Sequence, residues 1–481
     1  MRSTPPARTS WRSCPGWFVP RLAPVSEREL LRRTAEIAAD FVETLGERPI
    51  RAPASVAELR AALGGPLPDE PRDPIEVVEA LAAAAEPGVV GIPSGRYFGF
   101  VIGGALPAAL AADWLTSVWD QNAGLVVCGP SAAVCEEVAG RWLEELLGIP
   151  ETASFAFVTG CQMAHVTCLA AARHEVLRRV DWDVEGRGLA GSPPIAVVTG
   201  SRKHVTVDRA LRLLGLGSGN TLRVEVDDHG RMRADALQAV LRRTTGPTIV
   251  CVQAGEVNTG AFDPIGEIAT ECEASDAWLH VDGAFGLWAA ASPDLRHLTE
   301  GVELADSWAT DAHKWLNVPY DCGLAFVAHA DAHRAAMRLT AEYLVTGEGA
   351  ARDEMDWTPE FSRRARGFAV YAALRSLGRS GVAQLLEGSC ARARQFAAAI
   401  AELPGCEVLN DVVLNQVLIR FEDDAATDAM LASVQASGEA WMSGTTWDGG
   451  AAIRLSVSNW RTTEADIDRT VAAFAAARVA V

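Results

Sequence analysis

The sequence predicts an α/β fold: a large domain with a mostly parallel sheet covered by helices, preceded by a helical arm and followed by a small α+β domain. Three observations carry this. Short apolar strand-like runs recur between about Leu106 and Ala330: SFAFVTG, PIAVVTGS, TIVCVQAG, AWLHVDGA, DSWATDA and GLAFVAH. Helical segments such as AHVTCLAAARHEVLRRV and ADALQAVLRRTT separate several of them. Strands without polar alternation are strands buried on both faces, as in a helix-covered parallel sheet. After Arg366 the pattern changes to long helices followed by the strands VVLNQVLIRFE and AAIRLSVSN and a last helix near TEADIDRTVAAFAAARV.

The elements divide the 481 residues into four stretches. Residues 1–25 contain Arg, Ser and Pro but no apolar core of a secretory signal, and their prolines oppose a helix, so a disordered tail is expected. Residues 26–105 read as a helical arm. Its pattern is helical from Ser26 to about Leu63, loops through Gly64 to Pro74, and is helical again in PIEVVEALAAAAEPG, which stops at Pro87-Gly88. Residues 106–365 form the large domain. Residues 366–481 form the small one, opening with the helices GFAVYAALRSLGRSG and VAQLLEGSCARARQFAAAIAEL.

Composition excludes several classes. A net charge of −19 argues against a nucleic-acid partner, which calls for a basic face. No apolar run reaches the ~18 residues of a membrane span. The ten cysteines show no CxxC pair and no zinc-like spacing with histidine, so free thiols in a reducing cytoplasm, and no metal, are expected.

Four elements carry chemistry. Lys314 lies in DSWATDAHKWL, an apolar and aromatic setting. Such a lysine is also what a snorkelling surface residue looks like, but a desolvated lysine is a Schiff-base nucleophile. Asp282 ends an apolar strand in HVDGAFG, residues 280–286. A buried acid needs a partner, and a pyridinium nitrogen is one; capping a turn is the ordinary alternative. FVTGCQMAH, residues 157–165, passes from a strand through Gly160 into a helix, whose N-terminal N–H groups suit a phosphate. His204, in TGSRKHVTVDRA, follows another strand and could stack on a flat ring.

Along the chain the four elements run phosphate turn, His204, Asp282, Lys314. In that order, and together with RYFGFVIGGALPAALAADWL and FSRRARGFAVYAALRSLGRSG, these segments resemble the group II pyridoxal phosphate-dependent amino-acid decarboxylases, nearest to the aromatic-L-amino-acid enzymes. The resemblance runs from about Tyr97 to Gly381 and implies the fold-type-I, aspartate aminotransferase-like architecture. It implies that Lys314 carries pyridoxal 5'-phosphate as a Schiff base and that His313 lies beside the phosphate. Asp282 would bind the ring nitrogen, Ala284 would touch the ring, and His204 would stack on its other face. Gly160, Cys161 and Gln162 fall at the phosphate cup, and Asn258, in GEVNTGAFDP, near the ring hydroxyl or the phosphate. Phe100, Val101, Ile102 and Asn122 fall at the substrate wall. A homodimer with shared active sites is implied as well.

Tyr343, at 343 − 314 = 29 residues past the lysine, matches the loop tyrosine that reprotonates the substrate carbon in the decarboxylases. A phenylalanine there would suggest oxidative aldehyde formation. The chain departs from the family pattern in four places. Cys161-Gln162 stands where a Ser or Thr hydroxyl is usual, His165 replaces an Asn or Thr, Glu256 stands at a commonly neutral turn position, and WDQNAG is unusually polar. An aminotransferase or carbon–carbon lyase on the same fold is the alternative. Arg454, in AAIRLSVSNWR, would clamp the α-carboxylate in an aminotransferase if it faced the cofactor, and would point into the small domain's own core or surface in a decarboxylase. A non-catalytic scaffold is the third reading, opposed by the intact Lys314, Asp282 and His204.

Overall fold

The computed structural model describes residues 26–339 and 352–480. These fall into two compact units, one made of 26–48 with 52–90, the other of 49–51 with 91 onward. The first unit is helical: Glu27–Thr44, Val56–Leu63 and Pro74–Ala85. Each helix has its own start signal. Ser26 caps the first, Ser55 and Glu58 form a capping box on the second, and Asp73 with Pro74 opens the third. The helical pattern expected without a break to Leu63 is interrupted between Thr44 and Val56. Pro49 and Pro53 lie in that gap, and each lacks the N–H an inner helix turn needs.

The second unit holds both sheets. Seven strands form the large one: β1 (Ser154–Val158), β2 (Ala196–Gly200), β3 (Leu222–Val224), β4 (Thr248–Gln253), β5 (Trp278–Asp282), β6 (Ser307–Asp311) and β7 (Gly323–Val327). Their order is β1-β7-β6-β5-β4-β2-β3. Only β7 runs antiparallel to its neighbours. Residues alternate along each strand between two cores. Phe155, Phe157, Trp308 and Phe326 fill one face, whereas Ala156, Val158, Ala309 and Ala325 line the other. The small side chains let the alanine-rich helix Cys161–Arg178 lie close against the second face. Apolar runs without alternation are the sequence image of this double burial.

Four antiparallel strands form the small sheet: β8 (Glu407–Val408), β9 (Gln416–Arg420), β10 (Ser443–Trp447) and β11 (Gly450–Ser456), in the order β10-β11-β9-β8. The two helices expected after Arg366 are one span, Gly367–Ile400, broken at Gly378, whose φ of 59° suits a residue without a side chain. The segment just before it is anchored by a fully buried pair. Arg363 Nη1 lies 2.9 and 2.8 Å from the two carboxylate oxygens of Glu136, and its Nη2 donates to the Phe157 carbonyl of β1 at 2.6 Å. Removing one partner of such a pair leaves an uncompensated buried charge, at about 3–5 kcal/mol.

Candidate active site

The chain directions of β1, β2, β5 and β6 bring their carboxyl ends to one edge of the sheet, where α/β proteins place ligands. Lys314 and Asp311 follow from β6, Asp282 ends β5, His204 follows β2, and Gly160-Cys161 follow β1. Gly160 takes φ 151° as the chain turns from strand to helix, and a Cβ there would stand 3.2 Å from His313.

One carboxylate organises the lysine. Asp311 Oδ2 lies 3.1 Å from Lys314 Nζ, and its Oδ1 accepts the Cys161 N–H at 2.6 Å and faces His313 Nε2 at 3.5 Å. Burial alone would lower the lysine's pKa, but Asp311, Cys161 and Asp282 outweigh it and hold the ammonium above its usual value. The next turn is locked by Asn317, which is fully buried at φ 55°. Its Oδ1 accepts from Gly104 N–H at 2.6 Å and Trp460 N–H at 3.0 Å, while Nδ2 donates to Trp315 and Ser458 carbonyls at 2.8 and 2.9 Å.

Asp282 is buried, which by itself raises a carboxyl pKa; His165, His204 and Lys314 overcome this and keep it well below the usual carboxylate range. Its Oδ2 lies 3.4 Å from His165 Nε2, and its Oδ1 accepts the Ala284 N–H at 3.2 Å. His204 caps the helix Val205–Leu213, with Nδ1 2.7 Å from Thr206 Oγ1, and burial lowers its pKa. His313 accepts the Cys322 N–H on Nδ1 at 3.1 Å; burial lowers its pKa too, and its ring lies 4.4 Å from that of Tyr320.

Lys314, Asp282, His204, Cys161, Gly160, Ala284 and His313 thus gather at one edge. Other expected residues have their polar atoms engaged elsewhere. Cys161 gives its N–H to Asp311, so this amide of the expected phosphate turn already has an acceptor. Gln162 Nε2 donates to the Thr206 carbonyl at 3.2 Å, leaving Oε1 buried without a partner among the described residues. Asn258 donates to Glu256 and accepts from Thr445 Oγ1 at 3.0 Å, so both ends of its amide are held by the protein. Glu256 caps its own turn, accepting from Asn258 N–H at 2.6 Å and Thr259 N–H at 2.8 Å, which answers how a carboxylate is tolerated there. At the expected wall, Val101 belongs to the core at 1% exposure, Ile102 is half-buried, and Phe100 is 59% exposed. Asn122 Oδ1 accepts from Gly124 N–H at 3.1 Å and Arg363 N–H at 3.3 Å, which makes it a loop brace. Tyr343 lies outside the described residues.

Arg454, on β11, reaches out of the small sheet. Its Nη1 donates to the Val257 carbonyl at 3.3 Å, its Nε is buried without a partner among the described residues, and its charge is felt at His204. It therefore faces the large sheet's site rather than the small domain's core, the side an aminotransferase would use. Sequence reasoning assigned no role to Asp311, Asn317 or His280. The i,i+3 spacing of Asp311 and Lys314 was the signal for the first.

A half-buried amine and a buried carboxylate at adjacent strand ends, with a buried guanidinium nitrogen at the rim that has no partner among the described residues, suit an aldehyde cofactor with a basic ring nitrogen and an anionic substrate. Such a fold and site are of the kind that a pyridoxal phosphate enzyme presents. Comparison with known proteins narrows this. Residues 58–422 match the pyridoxal-dependent decarboxylase conserved domain, and the chain belongs to that family. An aromatic-L-amino-acid decarboxylase of Bacillus atrophaeus is 28% identical over 452 residues, 91% of this chain and 92% of that protein. A phenylacetaldehyde synthase of Arabidopsis thaliana is 24% identical over 459 residues, covering 89% and 91%. The crystal structure of Oryza sativa TDC with PLP and tryptamine superposes at a TM-score of 0.87 with 22% identity, covering 95% of this chain and 98% of that one. The protein is a pyridoxal phosphate-dependent carboxy-lyase acting on an amino acid. Among the described residues no helix is long and apolar enough to cross a membrane.

Asp311 raises the lysine's pKa, so Asp311→Asn should lower it. The pH midpoint for the rate at which the cofactor-free protein takes up pyridoxal phosphate should then move to lower pH. Stopped-flow absorbance measures this, and an unmoved midpoint would show that Asp311 does not govern the amine.

Proposed function

We propose that the protein converts an L-amino acid to its amine, RCH(NH3+)COO− + H+ → RCH2NH3+ + CO2, with Lys314 holding the cofactor. The observation that carries this is the half-buried Lys314 amine and the buried Asp282 on neighbouring strand ends, each contributing to the other's charge state. Bound pyridoxal phosphate supplies an electron sink for the pair left when the carboxylate departs. Asp282 would hold the cofactor at its ring nitrogen, with His204 and Ala284 on either side of the ring. The turn at Gly160, with His313 beside it, would receive the phosphate once the Cys161 N–H exchanges its Asp311 acceptor for it. Phe100 and Ile102 remain candidates for the substrate wall. Tyr343 returns a proton to the substrate carbon, a role that rests on the family resemblance alone. The relatives' names make aromatic amino acids the first substrates to try. Arg454 favours a second activity, transamination, beside decarboxylation, because an arginine facing the site can pair with the α-carboxylate. Ion pairing there stabilises the state a decarboxylase must leave.

Purified protein should release CO2 and amine in equal amounts from one amino acid, and Lys314→Ala should lose both turnover and the cofactor's visible absorbance. Keto acid without CO2 would favour the aminotransferase, and an active Lys314→Ala would remove the lysine from the mechanism. Tyr343→Phe should lower amine and raise aldehyde; an unchanged product ratio would exclude Tyr343.

We also propose a cytoplasmic homodimer whose partner subunit completes each site. The helix Pro107–Trp119 leaves Trp114, Leu115, Val118 and Trp119 exposed, an apolar face that association would cover. The nine described cysteines are free thiols, in keeping with a reducing compartment. Sedimentation at twice 51.1 kDa and recovery in the soluble cytoplasmic fraction are expected; an active monomer, or secretion, would refute the respective assignment.

A further inference from the structure

Behind Asp282 runs a chain of buried polar groups that the reaction above does not use. His165 Nε2 faces Asp282 Oδ2 at 3.4 Å, and His165 Nδ1 lies 2.9 Å from His280 Nε2. His280 Nδ1 lies 2.9 Å from Ser307 Oγ, which accepts the Trp278 Nε1–H at 2.9 Å. His165 and His280 are both fully buried. The two ends set its polarity. The indole N–H only donates, and an ionised carboxylate only accepts. With a neutral His165, a proton on Nδ1 would leave the Nε2 lone pair facing a carboxylate oxygen, so the proton belongs on Nε2. Then His280 donates from Nε2 to His165 Nδ1 and accepts the Ser307 hydroxyl proton on Nδ1, and each proton in the chain is used once. With a doubly protonated His165 the inner bonds reverse, and Ser307 Oγ accepts from His280 as well. In both states His165 Nε2 carries a proton aimed at Asp282. Cys161 Sγ, 3.5 Å from the same nitrogen, brings no rival negative charge, since burial pushes its thiol pKa well up.

We propose that His165 is a positioning residue: its Nε2–H holds and orients the Asp282 carboxylate so that the cofactor's ring nitrogen keeps its proton, while His280, Ser307 and Trp278 fix the ring in place. The inference rests on the reading of Asp282 given above. His165 follows Cys161 by one helical turn, so the helix that begins at the phosphate turn also delivers the support for the ring nitrogen.

Two amides separate the nitrogen atoms. In His165→Gln the amide nitrogen reaches about as far as Nε2 and can donate to Asp282 without contacting His280. In His165→Asn it reaches only as far as Nδ1, so it meets His280 and leaves Asp282 bare. The measurement is nitrogen NMR of the holoenzyme carrying cofactor labelled with 15N in the ring, together with the cofactor's dissociation constant. Wild type and His165→Gln should show a protonated ring nitrogen. His165→Asn should lose that signal and bind the cofactor about tenfold more weakly, the size of one hydrogen bond to a charged group. Asp282→Asn is the control. If it loses the ring proton while His165→Asn keeps it, the role of His165 is overturned and that of Asp282 stands. If Asp282→Asn keeps the proton, the reading of Asp282 falls and the inference with it. Loss in both His165 variants would mean that the imidazole's packing matters rather than its Nε2 proton, which also overturns the proposal.

Discussion

A carboxylate kept ionised inside the protein, at the end of β5, makes demands on everything around it. Asp282 has little water to solvate it, so its charge must be met by donors on neighbouring elements. His165 comes from the helix after β1, His204 from the loop after β2, and the Lys314 charge from the loop after β6. These segments are far apart in the chain and share an edge only because their strands are laid side by side in the order β1-β7-β6-β5-β4-β2-β3. The groups that meet the charge of Asp282 and the topology of the sheet are one arrangement.

The lysine side of the site obeys the same logic with the sign reversed. Lys314 is a half-buried ammonium whose nearest anion, Asp311, also accepts the first amide of the helix Cys161–Arg178. One carboxylate therefore ties the lysine loop to the phosphate turn. Asn317 ties that loop in turn to Gly104 and to the Ser458–Trp460 segment that follows β11. The amine is held from both sheets' surroundings, and its position depends on both cores being packed.

Arg454 stands at the boundary between the sheets. Its buried Nε has no partner among the described residues, while burial lowers the guanidinium pKa and the charge of Glu256 opposes that effect. A buried arginine nitrogen without an acceptor is costly, and an anionic substrate group is a suitable acceptor. The family match makes the protein a decarboxylase, so an arginine facing the site does not by itself decide which bond breaks.

Six of the seven large-sheet strands could be read from residue order, because a strand buried on both faces is written as an unbroken apolar run. The exception, β3, is three residues long with two of them exposed, too short and too wet to leave such a mark. The placement of Lys314, Asp282 and His204 at or just past strand ends was readable for a similar reason: each sits in a short motif beside an apolar run. The fates of Gln162, Asn258 and Asn122 were not. Their amide groups are taken by Thr206, by Glu256 with Thr445, and by Gly124 with Arg363, and no spacing rule reports which donor a distant acceptor will claim. The same holds for Asp311 with Cys161 and for His165 with Asp282 and His280. Each pairs residues more than a hundred positions apart. Periodicity and motif chemistry are properties of neighbouring residues, so the chain alone carried the architecture and the cofactor class. Partner choice among buried polar groups is decided by distance and direction in three dimensions, and those exist only once the two sheets have packed.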